Sequence, residues 1–269
     1  MTAIDAAAPA GTAPAGAART GTATGVEVDR RGVRSLVIYP IVLLAILGAL
    51  VLWLSQAELT ETERVTLAPE PLLTATLEHL RLTAIATVIV LVIAIPLGIL
   101  LTRGPLRRWS GIITAVANIG QAAPAVGLIV LFAMWMGFGS PAAIVALVVY
   151  ALLPVLRNTM VGLDSVDASL VEAGRGMGMS AAAVLWRVEL PLAVPLMLAG
   201  IRTALVLVVG TATLATFISA GGLGVAITTG VNLNLTRVLV TGSLLVSLLA
   251  LAVDWLGRVV EHIARPRGL

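Results

Sequence analysis

The chain has 269 residues, of which 59% are hydrophobic and 12% are charged, and its formal net charge is +3. Soluble proteins carry about 25% charged residues, so this composition indicates a membrane protein. Cysteine is absent, which excludes disulfides, thiol nucleophiles and cysteine-based metal sites. All 17 basic residues are arginine. The chain therefore lacks the lysine that a P-loop places on ATP phosphates.

The amino-terminal residues 1–34 are rich in Ala, Gly, Thr and Pro, and are predicted to be a disordered cytoplasmic tail. The remaining residues, 35–269, are predicted to form one membrane domain. Its first apolar run, 36–54, has 19 residues, close to the roughly 20 that span a bilayer. A signal peptide is the alternative interpretation, but its apolar core would have only about 7 to 15 residues.

Three further apolar runs follow the first. They predict a second span over 80–102, a third over 112–135 and a fourth over 142–156. The third contains Asn118, Gln121 and Pro124. Lipid cannot satisfy side-chain amides, so these residues are predicted either to join neighbouring helices or to line a substrate path.

The fifth span is predicted over 191–217 and the sixth over 238–260. Arg202 lies inside the fifth span, where a charge is costly, so it is predicted either to form an ion pair with Asp254 or to act in gating or coupling. Between these spans, Gly221, Gly222 and Gly224 allow tight backbone turns in a loop predicted to be external.

A polar, glycine-punctuated segment separates the fourth and fifth spans: VEAGRGMGMSAAAVLWRVELP, residues 171–191. Capping oxygens before it predict a helix over 169–175, which its glycines end. Ser180 is predicted to cap a second helical turn over 181–187. This helix, bend and helix are too polar to span a bilayer, so we expect the segment to lie against another protein.

The segment resembles the cytoplasmic coupling loop of binding-protein-dependent ABC importer permeases. That pattern is Glu-Ala-Ala, three residues, Gly, nine residues, Ile, any residue, Leu-Pro. The chain keeps this spacing and departs at two positions, with Gly174 for the second alanine and Val188 for isoleucine. The resemblance places the coupling loop over about 157–190, with its contact residues at Glu172, Ala173, Gly174, Arg175, Gly176, Met177, Gly178, Met179, Leu190 and Pro191.

Arginine placement gives an independent indication of sidedness. With six spans, 14 of the 17 arginines fall on the side that holds this loop. Cytoplasmic loops carry an excess of Lys and Arg, so the loop and both termini are predicted to be cytoplasmic. This role for the arginines also fits the chain better than nucleic-acid binding.

A narrower resemblance covers about 79–232 and is to the glycine betaine, carnitine and choline importer permeases. It rests on joined runs such as IPLGILLTR at 95–103 and VELPLAVPLMLAGIRTA at 188–204. It implies an all-α type I importer permease of the cell membrane that takes osmoprotectants, including proline betaine, and is not itself an enzyme. The implied partners are separate ABC ATPase subunits that bind ATP and Mg, a second permease copy or paralogue, and an extracytoplasmic substrate-binding protein. No cofactor is expected in this chain.

Substrate choice is left open by the residues. Quaternary ammonium groups are often held by aromatic cages, and only 4% of the chain is aromatic, so the selective site is expected in the binding protein. One alternative is the same architecture importing methionine or another amino acid. A more distant one is an ion-driven secondary transporter, which usually shows acidic residues within its spans. The residues predicted to form the translocation path or gate are Asn118, Gln121, Pro124, Arg202, Gly221, Gly222 and Gly224.

Overall fold

A computed structural model describes residues 25 to 264, with side chains from residue 36 onward, and every regular element in that range is helical. The α-helices are α1 Gly25–Ser55, α2 Glu61–Thr66, α3 Pro69–Leu101, α4 Ser110–Ala122, α5 Ala125–Met136, α6 Ser140–Asp164, α7 Ala168–Gly176, α8 Ala181–Val184, α9 Leu190–Ala212, α10 Gly224–Asn232 and α11 Thr236–Ala264. Two 3₁₀ segments, Gly104–Trp109 and Thr213–Ile218, and one π segment, Leu185–Glu189, complete the described elements.

Within the described residues, five helices are long and apolar enough to cross a membrane, and a bent helix pair brings the number to six when it counts as one span. Successive spans run in opposite directions, so α7 and α8 lie at the end of the bundle where α3 and α6 finish. We call this the coupling side. The turn between α9 and α10 lies at the opposite end, beside the start of α3. The predicted six-span, all-α architecture is confirmed.

The third span is bent, which its apolar pattern did not predict. Instead of one helix over 112–135, α4 and α5 meet at 98°. Ala123 has φ −63° and ψ 145°, an extended conformation, and Pro124 follows it. Proline disfavours the helical conformation at the residue before it and has no N–H to continue the hydrogen-bond ladder, which accounts for the break.

Two other stretches are more helical than the sequence predicted. The second span begins at Pro69 rather than residue 80, with proline at the first helical position where a missing N–H is tolerated. The loop predicted after Phe217 contains α10, despite its Thr and Asn content. Ala226 on α10 packs into a buried cluster with Leu67 and Val238, and such tertiary packing overrides weak helix propensity.

Small residues let α3, α6 and α9 pack closely at the centre of the bundle. Ala86, Ala94, Ala151 and Ala212 are fully buried in the largest apolar cluster. At Gly200 on α9, an added Cβ would lie 2.5 Å from the Cβ of Asn158 on α6. Small residues at helix contacts are typical of membrane bundles, where close backbone approach replaces the hydrophobic effect.

The predicted tail, 1–34, falls mostly outside the described residues. Residues 1–24 are not described, so their disorder stays a prediction. The backbone over 25–34 belongs to α1, so helix replaces predicted disorder there. Residues 265–269 also lie outside the described range, and with them two of the arginines counted for sidedness.

Candidate functional sites: the coupling segment and the outer turn

Residues 168–191, which we call the coupling segment, fold as two capped helices joined by a glycine bend. The side chain of Asp167 accepts a hydrogen bond of 2.9 Å from the N–H of Ser169 at the start of α7. This bond holds the pKa of the Asp167 carboxyl below its usual value. At the start of α8, Ser180 Oγ accepts from the N–H of Ala183 at 3.2 Å, so the predicted cap is confirmed.

The bend between the two helices depends on glycine at two positions. Gly178 has φ +84°, a left-handed conformation that L side chains adopt at a cost. Gly174 is buried, and a Cβ there would lie 3.3 Å from Val184 on α8. This departure from the Glu-Ala-Ala pattern therefore lets α7 and α8 approach each other closely.

The helix that leaves the coupling segment is longer than predicted. We expected the fifth span to open at Pro191, but the helical path is continuous over Ala181–Ile218. Its π segment, Leu185–Glu189, ends where the N–H of Leu190 donates to the carbonyl of Leu185. Pro191 has no N–H to donate, and the wider turn of the π segment accommodates it without a break in the helix.

The surface of the coupling segment is both polar and apolar. Glu172, Ala173 and Arg175 are exposed on α7, and Met177 is 73% exposed at the bend. The sequence interpretation missed Trp186, which is 68% exposed. Exposed large apolar side chains are expected on helices that face the bilayer. Met177, however, belongs to a segment that is too polar to span the bilayer, so its exposure suits contact with a partner protein.

An ion pair holds the coupling segment to the end of α3, and the sequence interpretation missed it. The guanidinium of Arg103 forms two parallel bonds with the carboxylate of Glu189: Nη1 lies 3.0 Å from Oε1, and Nη2 pairs with Oε2. The Glu189 side chain is 5% exposed. Burial lowers the pKa of Arg103, as does the positive charge of Arg175, whereas Asp164 raises it.

A second charge cluster on the coupling side joins α9 to α11. Arg202 Nε lies 3.1 Å from Oδ1 of Asp254, and Nη1 lies 3.0 Å from Oε2 of Glu261. The predicted pairing of Arg202 with Asp254 is therefore confirmed. Arg258 also contacts Asp254, at 2.9 Å, and lies over the ring of Tyr39 on α1.

The glycine turn at the opposite end, residues 219–224, which we call the outer turn, is clamped to the start of α3. Glu78 Oε2 accepts from the N–H of Gly222 at 2.9 Å. His79 is fully buried, and its Nε2 lies 3.0 Å from the carbonyl oxygen of Val209, to which it must donate. The contact of Glu78 with this turn was not predicted from sequence, because nothing in the local pattern links residue 78 to a turn 144 residues later.

The glycines of the outer turn are required for different reasons. Gly221 and Gly222 have φ of +82° and +88°. A Cβ on Gly224 would overlap the carbonyl of Thr213, so the backbones meet there. Glycine at these three positions is therefore explained by turn geometry and close approach, whether or not the turn moves.

The predicted path residues do not form one site in this chain. Asn118 is exposed and Gln121 half-buried on α4, and Pro124 marks the bend to α5. Arg202 lies on the coupling side and the outer turn at the other end. The assignment of a substrate path to these residues stays a prediction.

The membrane helices and the coupling segment have their counterparts in known proteins. Residues 94–265 match the family described as the binding-protein-dependent transport system inner membrane component. The chain belongs to this family. It is 40% identical to the choline transport system permease protein OpuBB of Bacillus subtilis (strain 168) over 198 residues, 74% of this chain and 90% of the relative. It is equally identical, over the same shares of both chains, to the glycine betaine/carnitine/choline transport system permease protein OpuCB of that organism.

Solved structures with the same fold include inward-facing conformations of the MetNI methionine ABC transporter. One of these chains aligns with a TM-score of 0.65 and 24% identity, covering 77% of this chain and all of that chain. This similarity shows the type I importer permease fold alone. The chain is accordingly an integral membrane permease of a binding-protein-dependent transport system.

Proposed function

We propose that this permease imports quaternary-amine osmoprotectants, a class that includes choline, glycine betaine, carnitine and proline betaine, in a system driven by ATP. The observation that carries the proposal is the 40% identity, over 90% of their length, to permeases named for choline, glycine betaine and carnitine transport. The methionine transporter that shares the fold is only 24% identical, and so favours no substrate.

Energy for transport would come from separate ATPase subunits that bind ATP and Mg. The described residues offer a docking element for them: α7 and α8 form a short capped pair at the coupling side, with Met177 exposed at the bend. No cofactor is assigned to the permease itself. Closure of the ATPase subunits around ATP would displace the coupling segments of two permease chains, identical or paralogous. The spans would then open towards an extracytoplasmic binding protein.

In this proposal the coupling side is cytoplasmic, with both termini on the same side. Among the described side chains, Arg103, Arg107, Arg108, Arg157, Arg175, Arg187, Arg202 and Arg258 lie towards that side, whereas Arg64, Arg81 and Arg237 lie towards the other. This asymmetry is the one that cytoplasmic loops normally carry.

Uptake into proteoliposomes tests the substrate proposal. The permease would be reconstituted with its ATPase and binding protein, and labelled choline, glycine betaine, carnitine and methionine offered with and without ATP. Uptake of one or more quaternary amines that requires ATP supports the proposal. ATP-driven uptake of methionine alone would move the permease to the amino-acid class, and uptake without ATP would contradict an ATP-driven importer.

Orientation is testable because the chain has no native cysteine. Single cysteines at Met177, on the coupling side, and Phe138, at the opposite end, replace residues that are 73% and 71% exposed. A membrane-impermeant maleimide applied to intact cells should label the Phe138→Cys protein and not the Met177→Cys protein. The reverse pattern would invert the proposed topology.

A further inference from the structure

The end of α3 and the coupling segment are joined by a contact that is both charged and buried. Arg103 lies two residues beyond the last residue of α3, directly after the C-cap Thr102, and Glu189 is the last residue of the π segment. Two parallel bonds between a guanidinium and a carboxylate fix distance and orientation together, which one bond cannot do. Since the Glu189 side chain is only 5% exposed, separating the pair would leave a carboxylate without water or partner, which is strongly unfavourable.

A cleft of about 290 Å³ lies beside this ion pair, between the end of α3 and α7. Its lining includes Arg103, Arg107, Asp164 and Glu189. Arg103 and Glu189 both line this cleft, so the ion pair joins the end of α3 to the coupling segment at the cleft wall. A displacement of the coupling segment therefore has a rigid connection to α3 at Arg103 and Glu189.

Glu189 is well placed to pass on such a displacement. It lies on the continuous helical path that starts at Ala181, directly after the bend at Gly178, and continues as the fifth span. Movement of the second half of the coupling segment thus moves Glu189 as part of a helix. The π segment that ends at Glu189 is a local irregularity of a kind often found at functional positions in helices.

We propose that the ion pair between Arg103 and Glu189 is the link through which movement of the coupling segment is passed to α3, so that these two residues are positioning residues for transport. The inference rests on the proposed function, because it requires an ATPase that moves the segment. Through the pair, α3 follows the segment as one body. Without it, movement of the coupling segment reaches the end of α3 only through the apolar packing of the bundle, and less substrate is imported for each ATP hydrolysed.

The first test measures uptake and ATP hydrolysis in the same reconstituted complex. In Arg103→Gln and Glu189→Gln, the amount of substrate imported per ATP should fall by about tenfold, within the range typical of coupling between sites. The combined charge exchange, Arg103→Glu with Glu189→Arg, should recover part of the loss because the pair can form again. Arg107→Gln is the matched control, since Arg107 lines the same cleft and no ion pair is described for it. This control should behave as wild type.

If Arg103→Gln does not assemble with the ATPase, Arg103→Lys is tested instead. Lysine keeps the positive charge but lacks the planar guanidinium that forms two parallel bonds. This variant should lose about threefold in substrate imported per ATP, consistent with retaining one bond of two. Single variants whose import per ATP stays equal to wild type would overturn the proposal, as would an equal loss in Arg107→Gln.

A second readout needs no transported substrate and so separates this inference from the proposed function. Spin labels on Met177→Cys and Leu100→Cys, which replace exposed residues of the bend and of α3, report the distance between the two elements. When ATP binds to the assembled complex, the distance should stay constant with the ion pair present and change in Arg103→Gln. Equal behaviour of the two proteins would overturn the link, whereas absence of ATP-driven uptake in wild type would overturn only the proposed function.

Discussion

Nε of Arg202 lies 3.1 Å from Oδ1 of Asp254, which joins α9 to α11 near the coupling side of the bundle. The same guanidinium holds Glu261 at 3.0 Å, so two carboxylates on one helix share one cation. The aliphatic part of Arg202 also lies over Gly257, where a Cβ would meet its Cγ at 3.1 Å. Arg202 is thus fixed by contacts that do not involve substrate, which supports a structural role for it.

Replacement of Arg202 should destabilise the bundle without changing which substrate is carried. Arg202→Gln loses two partly exposed ion pairs, which together contribute about 1 kcal/mol. This corresponds to about 2 to 4 °C in the unfolding temperature of the purified protein in detergent. Arg258→Gln removes a more exposed pair within one helix and should cost less. A larger loss in Arg258→Gln would contradict this ranking.

The bend of the coupling segment should be sensitive to backbone conformation and insensitive to side-chain size. Gly178 has φ +84° and nothing within 4 Å of an added Cβ, so Gly178→Ala is strained but meets no atom. The strain amounts to about 1 to 2 kcal/mol. Gly178→Asn should be milder because Asn tolerates the left-handed conformation. The amount of substrate imported per ATP should therefore be highest in wild type, lower in Gly178→Asn and lowest in Gly178→Ala.

Gly176 provides the matched control for this prediction. It also has nothing within 4 Å of an added Cβ, but it ends α7 without a left-handed φ. Gly176→Ala should leave uptake unchanged and make α7 slightly more stable. Equal losses in Gly176→Ala and Gly178→Ala would show that the surface at the bend, rather than its conformation, is required.

The outer turn should not accept a side chain at Gly224. A Cβ there would overlap the carbonyl of Thr213, and backbone atoms cannot rotate away. Gly224→Ala is expected to displace α10 and to reduce uptake strongly. Gly210→Ala, on α9, adds a Cβ with nothing within 4 Å and should transport normally. Initial uptake rates at equal amounts of protein in the membrane provide the comparison, and normal uptake by Gly224→Ala would contradict the close approach.

Acidification should weaken the anchorage of α2, because a buried carboxylate holds it. The backbone N–H of Thr60 donates to Glu63 Oε2 at 2.9 Å, and Arg237 Nη1 lies 3.4 Å from the same oxygen. The Thr60 N–H is the main cause that lowers the pKa of Glu63 below 4.5, with smaller contributions from the Thr60 hydroxyl and Arg237, while burial opposes them. A carboxyl group whose pKa is lower in the folded than in the unfolded protein stabilises the fold at pH values above its unfolded pKa. This stabilisation is lost as the pH falls through its folded pKa.

Hydrogen exchange over residues 60–67 measures this effect. Protection should be constant from neutral pH down to about 4.5 and then decrease as Glu63 takes up a proton. Glu63→Gln should show reduced protection already at neutral pH and no further acid-dependent step. A variant with the same acid-dependent loss as wild type would assign the effect to another carboxyl group.

Features that depend on local chemistry were predictable from sequence. The cap at Ser180 requires only a hydroxyl before a helix, and the coupling pattern is a spacing along one segment. The Arg202 pairing was also predictable, because a charge within an apolar run needs a partner and Asp254 lies in the next span. The bend at Pro124 could have been predicted, since the restriction on the preceding residue is local, but the apolar pattern favoured one straight span.

Contacts between distant parts of the chain were not predictable. Arg103 and Glu189 are 86 residues apart. From the local sequence, Arg103 is a positive charge that flanks a span, and Glu189 is the variable residue before Leu-Pro in the coupling pattern. The pairing of Glu78 with the outer turn spans 144 residues. The helix α10 forms because its packing on α11 outweighs the weak helix propensities of its own residues. The local sequence pattern gives no indication of that packing.

The docking of an ATPase on the coupling segment is tested most directly by cross-linking. A cysteine at Met177, 73% exposed at the bend, would carry a short photoreactive probe in the assembled transporter. The probe should form a covalent adduct with the ATPase subunit. The yield of this adduct should differ between the ATP-bound and nucleotide-free states. The same probe at Phe138, at the opposite end of the bundle, should form none. Adducts from Phe138 and none from Met177 would contradict both the docking surface and the proposed orientation.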